Sequence, residues 1–405
     1  MRPNMVEHAN LKLHAALIGV GKARRSLRLA QSHDGRESIV RQLARIETVL
    51  GGALADLSSD LHHDDQDGGR AMERRALLKL TGAIAATAFT PLDAVERIAG
   101  ALEHPGRVDG RLLDAYDKVT TTYAEAFYSL PPAQIAAPVR AQVDRLVALS
   151  AHPATPALRA RLEAMISDAA AFAGMVAYDL DQPGAARASL ALAEDAAQQA
   201  GDDTLRALAV AMQARVQALI APGDRRAGTL LDQALVKLPD HASPQARRWV
   251  AVQYATDCAT TGDELGYQAA IETARAAAEP EPLTTGFFSD NGWYRIGAEP
   301  HWLDQNRANG LVALQHRSAE PLLLEIIDDT TDPRMRANAS NSLATFYAAR
   351  GEVEDACHAA LRTVDLATAH GIASAIHKTR TTRQHLIGHD RNPAVRDLDA
   401  ALAAA

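Results

Sequence analysis

The chain is interrupted by five short helix-breaking stretches of one kind: DLDQPGAA (179–186), APGDRRAG (221–228), TTGDELG (260–266), QHRSAE (315–320) and ARGEVEDA (349–356). Successive breaks stand roughly forty residues apart, and each separates two segments of about sixteen to twenty residues. A hairpin of two such helices cannot bury its apolar face alone, so this punctuation predicts hairpins stacked on hairpins. The residues between the breaks agree. Alanine, leucine, arginine and glutamate favour helix, and aromatics make up only 4% of the chain. Small residues stand where paired helices must approach closely, as at Ala173-Gly174 and Ala185-Ala186. The expected fold class is all-α: an α-solenoid of helical hairpins over residues 108–405, behind a small N-terminal helical head.

Charge divides the chain differently. Residues 1–50 carry nine Lys or Arg against four acids, a net of +5, whereas the 405-residue chain carries −8 and the remainder therefore −13. A small basic head on an acidic body is the electrostatic footprint of a nucleic-acid partner. The segment ESIVRQLARIETVLGGALADL within that head places Ile39, Val40, Leu43, Ile46, Val49 and Leu50 at helical spacing before a Gly-Gly stop. Lys22, Arg24, Arg25 and Arg28 lie on adjoining turns of a preceding short helix, with Arg41 and Arg45 on the next. Against DNA such side chains contact phosphates, which sets affinity without reading sequence. The predicted organisation is a head over 1–58, an acidic linker over 59–73, a hinge helix segment over 74–107 and the helical repeats over 108–405.

No catalytic motif is present: there is no Gly-rich phosphate loop, His-Glu-x-x-His or nucleophile elbow. The linker run His62-His63-Asp64-Asp65 imitates a metal site, but Asp65-Gln66-Asp67-Gly68 lacks an acid two residues before Asp65 and the later glutamate that a calcium loop requires, and no metal or cofactor is expected. Cys258 and Cys357 offer neither a zinc cluster nor a disulfide framework, which suits a reducing cytoplasm.

Two features point to ligand binding. The segments NRANGLVAL from Asn306 and NASNSLATF from Asn338 superimpose without a gap at an offset of 32 residues. Asn306 and Asn309 thereby match Asn338 and Asn341. An asparagine amide both donates and accepts, so stacked pairs can hold an extended peptide backbone; the competing role is capping and hydrogen bonding between repeats. Just upstream, GFFSDNGWYRIGAEPHW (286–302) gathers five of the chain's seventeen aromatics. There Trp293 and Tyr294 could form the apolar wall of a pocket, with Arg295 supplying charge.

The NASNSLATF hairpin continues through Tyr347, Gly351 and Ala356. With Leu343-Ala344 at the close-contact pair, Tyr347 one turn later, Gly351 in the turn and Ala356 on the second helix, it resembles the tetratricopeptide repeat. Gly174, Ala177, Ala186 and Leu190 fit the same frame. Over most of its length the chain resembles an actinobacterial regulator of the XRE/Cro helix-turn-helix type with a C-terminal tetratricopeptide domain. Leu43-Ala44-Arg45-Ile46 through TVLGGALADL is similar to the closing helices of that head, and ERRALLKLTGAIAA to the bridge between head and repeats. RLAQSHDGRESIVRQLARIE leaves the head roughly ten residues short of a full helix-turn-helix: it is either degenerate or set out of frame by a start placed too far upstream. The resemblance implies a cytoplasmic transcriptional regulator, dimeric, in which a peptide, small molecule or protein partner in the repeat groove controls DNA binding by the head.

Two other readings remain. One is a tetratricopeptide scaffold without DNA binding. The other is an exported helical protein starting at Met72, because AMERRALLKLTGAIAATAFTP (71–91) imitates a twin-arginine signal. Glu73 and Leu77 stand where that signal usually has Ser or Thr and Phe, so the arginines are expected to mark a hinge instead. The uncharged run from Leu80 to Leu92 has thirteen residues, against about twenty needed to span a bilayer, and no membrane partner is expected.

Overall fold

The computed structural model describes residues 108–127, 130–152, 154–221, 224–277 and 301–405. The expected head, linker and hinge segment lie outside them. By internal contacts the chain divides into Met1–Gly106 with Asp114–Thr122, and Arg107–Leu113 with Tyr123–Ala405. Of the first unit only the middle of one helix is described, and the other helices belong to the second.

The described residues are all-α, with fourteen helices and no strand among them. In chain order these are α1 (Gly110–Phe127), α2 (Pro132–Ser150), α3 (Pro156–Asp179), α4 (Pro183–Ala200), α5 (Asp203–Ile220), α6 (Arg225–Lys237) and α7 (Pro244–Thr261). The series continues with α8 (Glu264–Ala276), α9 (Trp302–Ala313), α10 (Ala319–Asp329), α11 (Pro333–Ala349), α12 (Val353–His370), α13 (Ala373–Gln384) and α14 (Pro393–Ala404). All five sequence breaks fall at the turn inside a pair: α3/α4, α5/α6, α7/α8, α9/α10 and α11/α12. Helix lengths run from 11 residues in α10 to 24 in α3, a wider spread than the even segments expected.

Local chemistry sets the ends. Asp202 starts α5 by accepting from the Leu205 amide at 2.9 Å, and Asp332 starts α11 by accepting from the Arg334 amide at 2.9 Å, each satisfying a donor with no partner inside the helix. Helices α4 and α7 end on Gly201 (φ 70°) and Gly262 (φ 78°), a left-handed conformation that a Cβ would strain.

Each odd-numbered helix from α3 to α11 packs against the even-numbered helix that follows it, and also against the next odd-numbered helix. Small residues make the approach possible: a Cβ added at Gly174 of α3 would stand 2.8 Å from Leu190 Cγ of α4. At Gly310 of α9 the space of a Cβ is taken by the Tyr267 ring of α8, whose hydroxyl donates to the Arg307 carbonyl at 2.8 Å. Helix α13 in turn touches α3, so the line of odd-numbered helices returns to its start.

Charged groups hold this return. Arg334, only 7% exposed, donates from Nε to Asp179 Oδ2 at 3.1 Å, from Nη2 to the Leu130 carbonyl at 2.8 Å, and from Nη1 to the Phe127 carbonyl. Its guanidinium also lies 4.1 Å from the centre of the Phe127 ring. Nearby, His377 Nδ1 stands 3.2 Å from Asp181 Oδ2. Burial pushes the Asp179 carboxyl above the usual carboxylate range, against the pull of Arg334, Lys378 and Arg215.

Candidate functional site

Helices α3, α5, α7, α9, α11 and α13 turn one face each toward a cavity of about 330 Å³, with α6 contributing Ala227 and Leu231. Its size is at the small end of ligand pockets. Most of the lining residues carry a polar group, although the larger part of the lining surface is apolar. It includes Gln253, Thr256, Asp257 and Thr260 from α7, Asn306 and Asn309 from α9, and Asn341 and Thr345 from α11. From α13 come His377, Lys378, Thr381 and Thr382, while α3 and α5 add Tyr178 and Arg215.

Three of the four asparagines of the matched repeats therefore line the cavity, and two of these, Asn309 and Asn341, also join helices. Asn309 Oδ1 accepts from Gln305 Nε2 at 2.8 Å and from Ser342 Oγ at 2.7 Å, linking α9 to α11. Asn341 Oδ1 accepts from Thr379 Oγ1 at 3.1 Å, linking α11 to α13. The Asn306 amide, 9% exposed, turns back to the Trp302 carbonyl at 2.7 Å. Asn338 is not part of the wall; its Oδ1 accepts from Lys378 Nζ at 3.0 Å. Asn309, Asn338 and Asn341 thus perform the inter-repeat bonding that competed with the groove role, whereas Asn306 bonds within its own helix.

Gln253 differs from them. It is 6% exposed and lines the cavity, yet its fully buried Nε2 has no hydrogen-bond partner. A buried amide left this way costs about 1–3 kcal/mol relative to a paired one.

Electrostatics concentrate at Tyr178. The Arg215 guanidinium lies 5.3 Å and Lys378 Nζ 5.4 Å from the centre of its ring, one from α5 and one from α13. Burial raises the Tyr178 phenol, but the charges of Lys378 and Arg215 outweigh it and the net shift is downward. Asp257 supplies the acid on this wall, and burial, followed by the charge of Asp232, raises its carboxyl.

Trp293, Tyr294 and Arg295 lie outside the described residues, as do Lys22, Arg24, Arg25, Arg28, Arg41 and Arg45. Trp302, the last aromatic of that cluster, is a packing residue: its ring stacks on Trp249 at 6.1 Å between centroids and 22° between planes. Sequence reasoning missed Tyr178, Arg215, Gln253 and Lys378. A signal existed for one of them, since Lys378 and Thr381 repeat the three-residue spacing of Asn338 and Asn341 one hairpin later.

Cys258 and Cys357 are both free and buried, and no cluster of three metal-ligating side chains occurs among the described residues. Nor is any helix among them long and apolar enough to cross a membrane. The fold and site together define an all-α protein with a cavity, lined mostly by polar residue types, bordered by successive hairpins. A comparison with models of protein families finds none that matches the chain, and a search of curated proteins finds no significant match.

Proposed function

We propose that the chain is an intracellular transcriptional regulator. Residues 108–405 act as a tetratricopeptide-like α-solenoid that binds a ligand, and the basic N-terminal head binds DNA. The observation that carries the sensor half is the convergence of six odd-numbered helices on one cavity bordered by the unpartnered Nε2 of Gln253. The DNA half rests on the +5 charge of residues 1–50 against −13 elsewhere.

Coupling follows from where the cavity lies. Tyr178 of α3 and Lys378 of α13 stand on opposite sides of the contact at which the line of helices closes. A ligand touching both binds the closed arrangement more tightly than an open one, and so shifts the population toward closure. Arg334 ties the same contact to the carbonyls of Phe127 and Leu130 at the end of α1. In sequence, α1 follows the hinge segment 74–107, which leads back to the head. In a dimer, closure then alters the spacing of the two heads.

The experiment is a gel shift of duplex DNA by the purified full chain at low salt, with and without small-molecule extract. Binding that weakens as salt rises, and that is lost in an Arg24/Arg25/Arg28→Ala variant, is the expected result. No shift under any of these conditions leaves the second reading, a protein-interaction scaffold. The ten-residue shortfall of the head in sequence favours that reading.

A further inference from the structure

We infer that the cavity is a site for a small organic anion, whose carboxylate or phosphate group is held between Arg215 and Lys378 while its neutral part hydrogen-bonds Gln253. The inference rests on the reading of the cavity as a ligand site and specifies the chemistry of that ligand.

Three observations support it. First, Arg215 and Lys378 are both half-buried on the wall, and neither has a carboxylate within ion-pair distance among the described residues. Arg334 has Asp179 at 3.1 Å and Arg383 has Asp390 and Asp399 at 2.7 Å, while half-buried Arg247 and Arg336 are satisfied by backbone carbonyls. Lys378 Nζ donates to the neutral Asn338 amide at 3.0 Å, and both Lys378 and Arg215 bear on the Tyr178 ring and phenol. Asp179 feels both charges but stands beyond ion-pair contact with either, so two cations at one ring are left without a direct anionic partner, and an anion in the cavity would supply charge-assisted hydrogen bonds.

Second, Gln253 lies on the same wall with its buried Nε2 unpartnered. A folded chain rarely keeps a buried amide in that state, and a ligand atom in the cavity would pair it. Because the amide both donates and accepts, it suits the polar neutral part of a metabolite. Third is the size of the cavity. A cavity of about 330 Å³ admits a molecule of metabolite size rather than a folded partner.

The test uses the full-length chain and a set of small carboxylates and organic phosphates, each paired with its neutral amide or alcohol counterpart and with diamines of like size. Calorimetric titration and thermal shift read binding. At least one acid is expected to bind, its neutral counterpart weaker by about tenfold or more. Lys378→Met, Arg215→Met and Gln253→Leu should each weaken that acid by a similar factor, whereas Lys378→Arg retains most of the affinity. The Arg24/Arg25/Arg28→Ala variant should bind it unchanged, which separates the cavity from the basic head. Comparison of the carboxylate and phosphate arms identifies the source of the charge.

Circular dichroism confirms that each variant is folded, and Lys378→Arg keeps the test valid should the methionine variants not be. Binding of neutral or cationic compounds in place of acids, still sensitive to Gln253→Leu, overturns the anion inference and leaves the ligand-site reading standing. Acids that bind equally well to the Lys378 and Arg215 variants also overturn it. Failure of every compound to bind overturns both.

Discussion

Replacing Arg334 with leucine tests how the line of helices is closed. The substitution removes the guanidinium from three acceptors at once, the Asp179 carboxylate and the carbonyls of Phe127 and Leu130, and from the face of the Phe127 ring. Arg334 is 7% exposed, so water replaces these contacts poorly. Breaking one side of a buried charge pair costs about 3–5 kcal/mol, because the other charge stays behind uncompensated. With an unfolding entropy of about 2.1 cal/mol/K per residue over roughly 300 residues, the Tm should fall by about 5–8 °C.

The dependence on pH gives the mechanism. Asp179 already has a folded pKa above its unfolded value, owing to burial against the pull of Arg334. Such a group burdens the fold least below the unfolded pKa, and increasingly as pH rises through the folded one. Without Arg334 the folded pKa rises further, so the deficit of Arg334→Leu should be large at neutral pH and shrink toward about pH 4. Urea unfolding monitored by circular dichroism at several pH values measures this. In the Arg334→Leu/Asp179→Asn double variant, part of the loss should return. A deficit below about 1 kcal/mol, or one independent of pH and of Asp179, would refute the reasoning.

Gln253→Leu replaces an unpartnered buried amide with an apolar side chain of similar size, and should stabilise the ligand-free protein by about 1–3 kcal/mol. Thermal denaturation checks it, and a fall in Tm would mean that the amide has a structural partner. Gly310→Ala forces a methyl into the Tyr267 ring, so α8 and α9 must separate; a loss of about 1–3 kcal/mol is expected in urea unfolding. Ultraviolet absorbance titration should find a tyrosine that ionises below the ordinary phenol range, absent in Tyr178→Phe and shifted upward in Lys378→Met, because Lys378 helps to hold it down.

Much of the helical architecture is legible in the sequence because its signal is local. Gly and Asp residues at DLDQPGAA, TTGDELG and ARGEVEDA break helices by their own backbone and side-chain chemistry, and the matching turns lie there. The gapless match of NRANGLVAL and NASNSLATF likewise locates Asn309 and Asn341 on neighbouring odd-numbered helices. The cavity's charge is not legible. Arg215 and Lys378 are 163 positions apart, and they meet at Tyr178 only because α13 returns to α3, a consequence of stacking geometry that no local pattern carries. Gln253 stays hidden for a related reason: a lone glutamine in a helix carries no signal until burial and the lack of a partner are known. Trp302 groups with the pocket aromatics by proximity in sequence, yet its ring is committed to Trp249.

The central claim, that a ligand-binding repeat domain controls a DNA-binding head, is tested most directly by fluorescence anisotropy of labelled duplex DNA with the full-length chain at low salt. The titration is run with and without the tightest cavity ligand, in parallel on Lys378→Met and Arg24/Arg25/Arg28→Ala. The account predicts DNA binding that the ligand changes in the native chain, that the ligand leaves unchanged in Lys378→Met, and that the head variant lacks. DNA binding indifferent to a ligand shown to occupy the cavity, or no DNA binding at all, would contradict it.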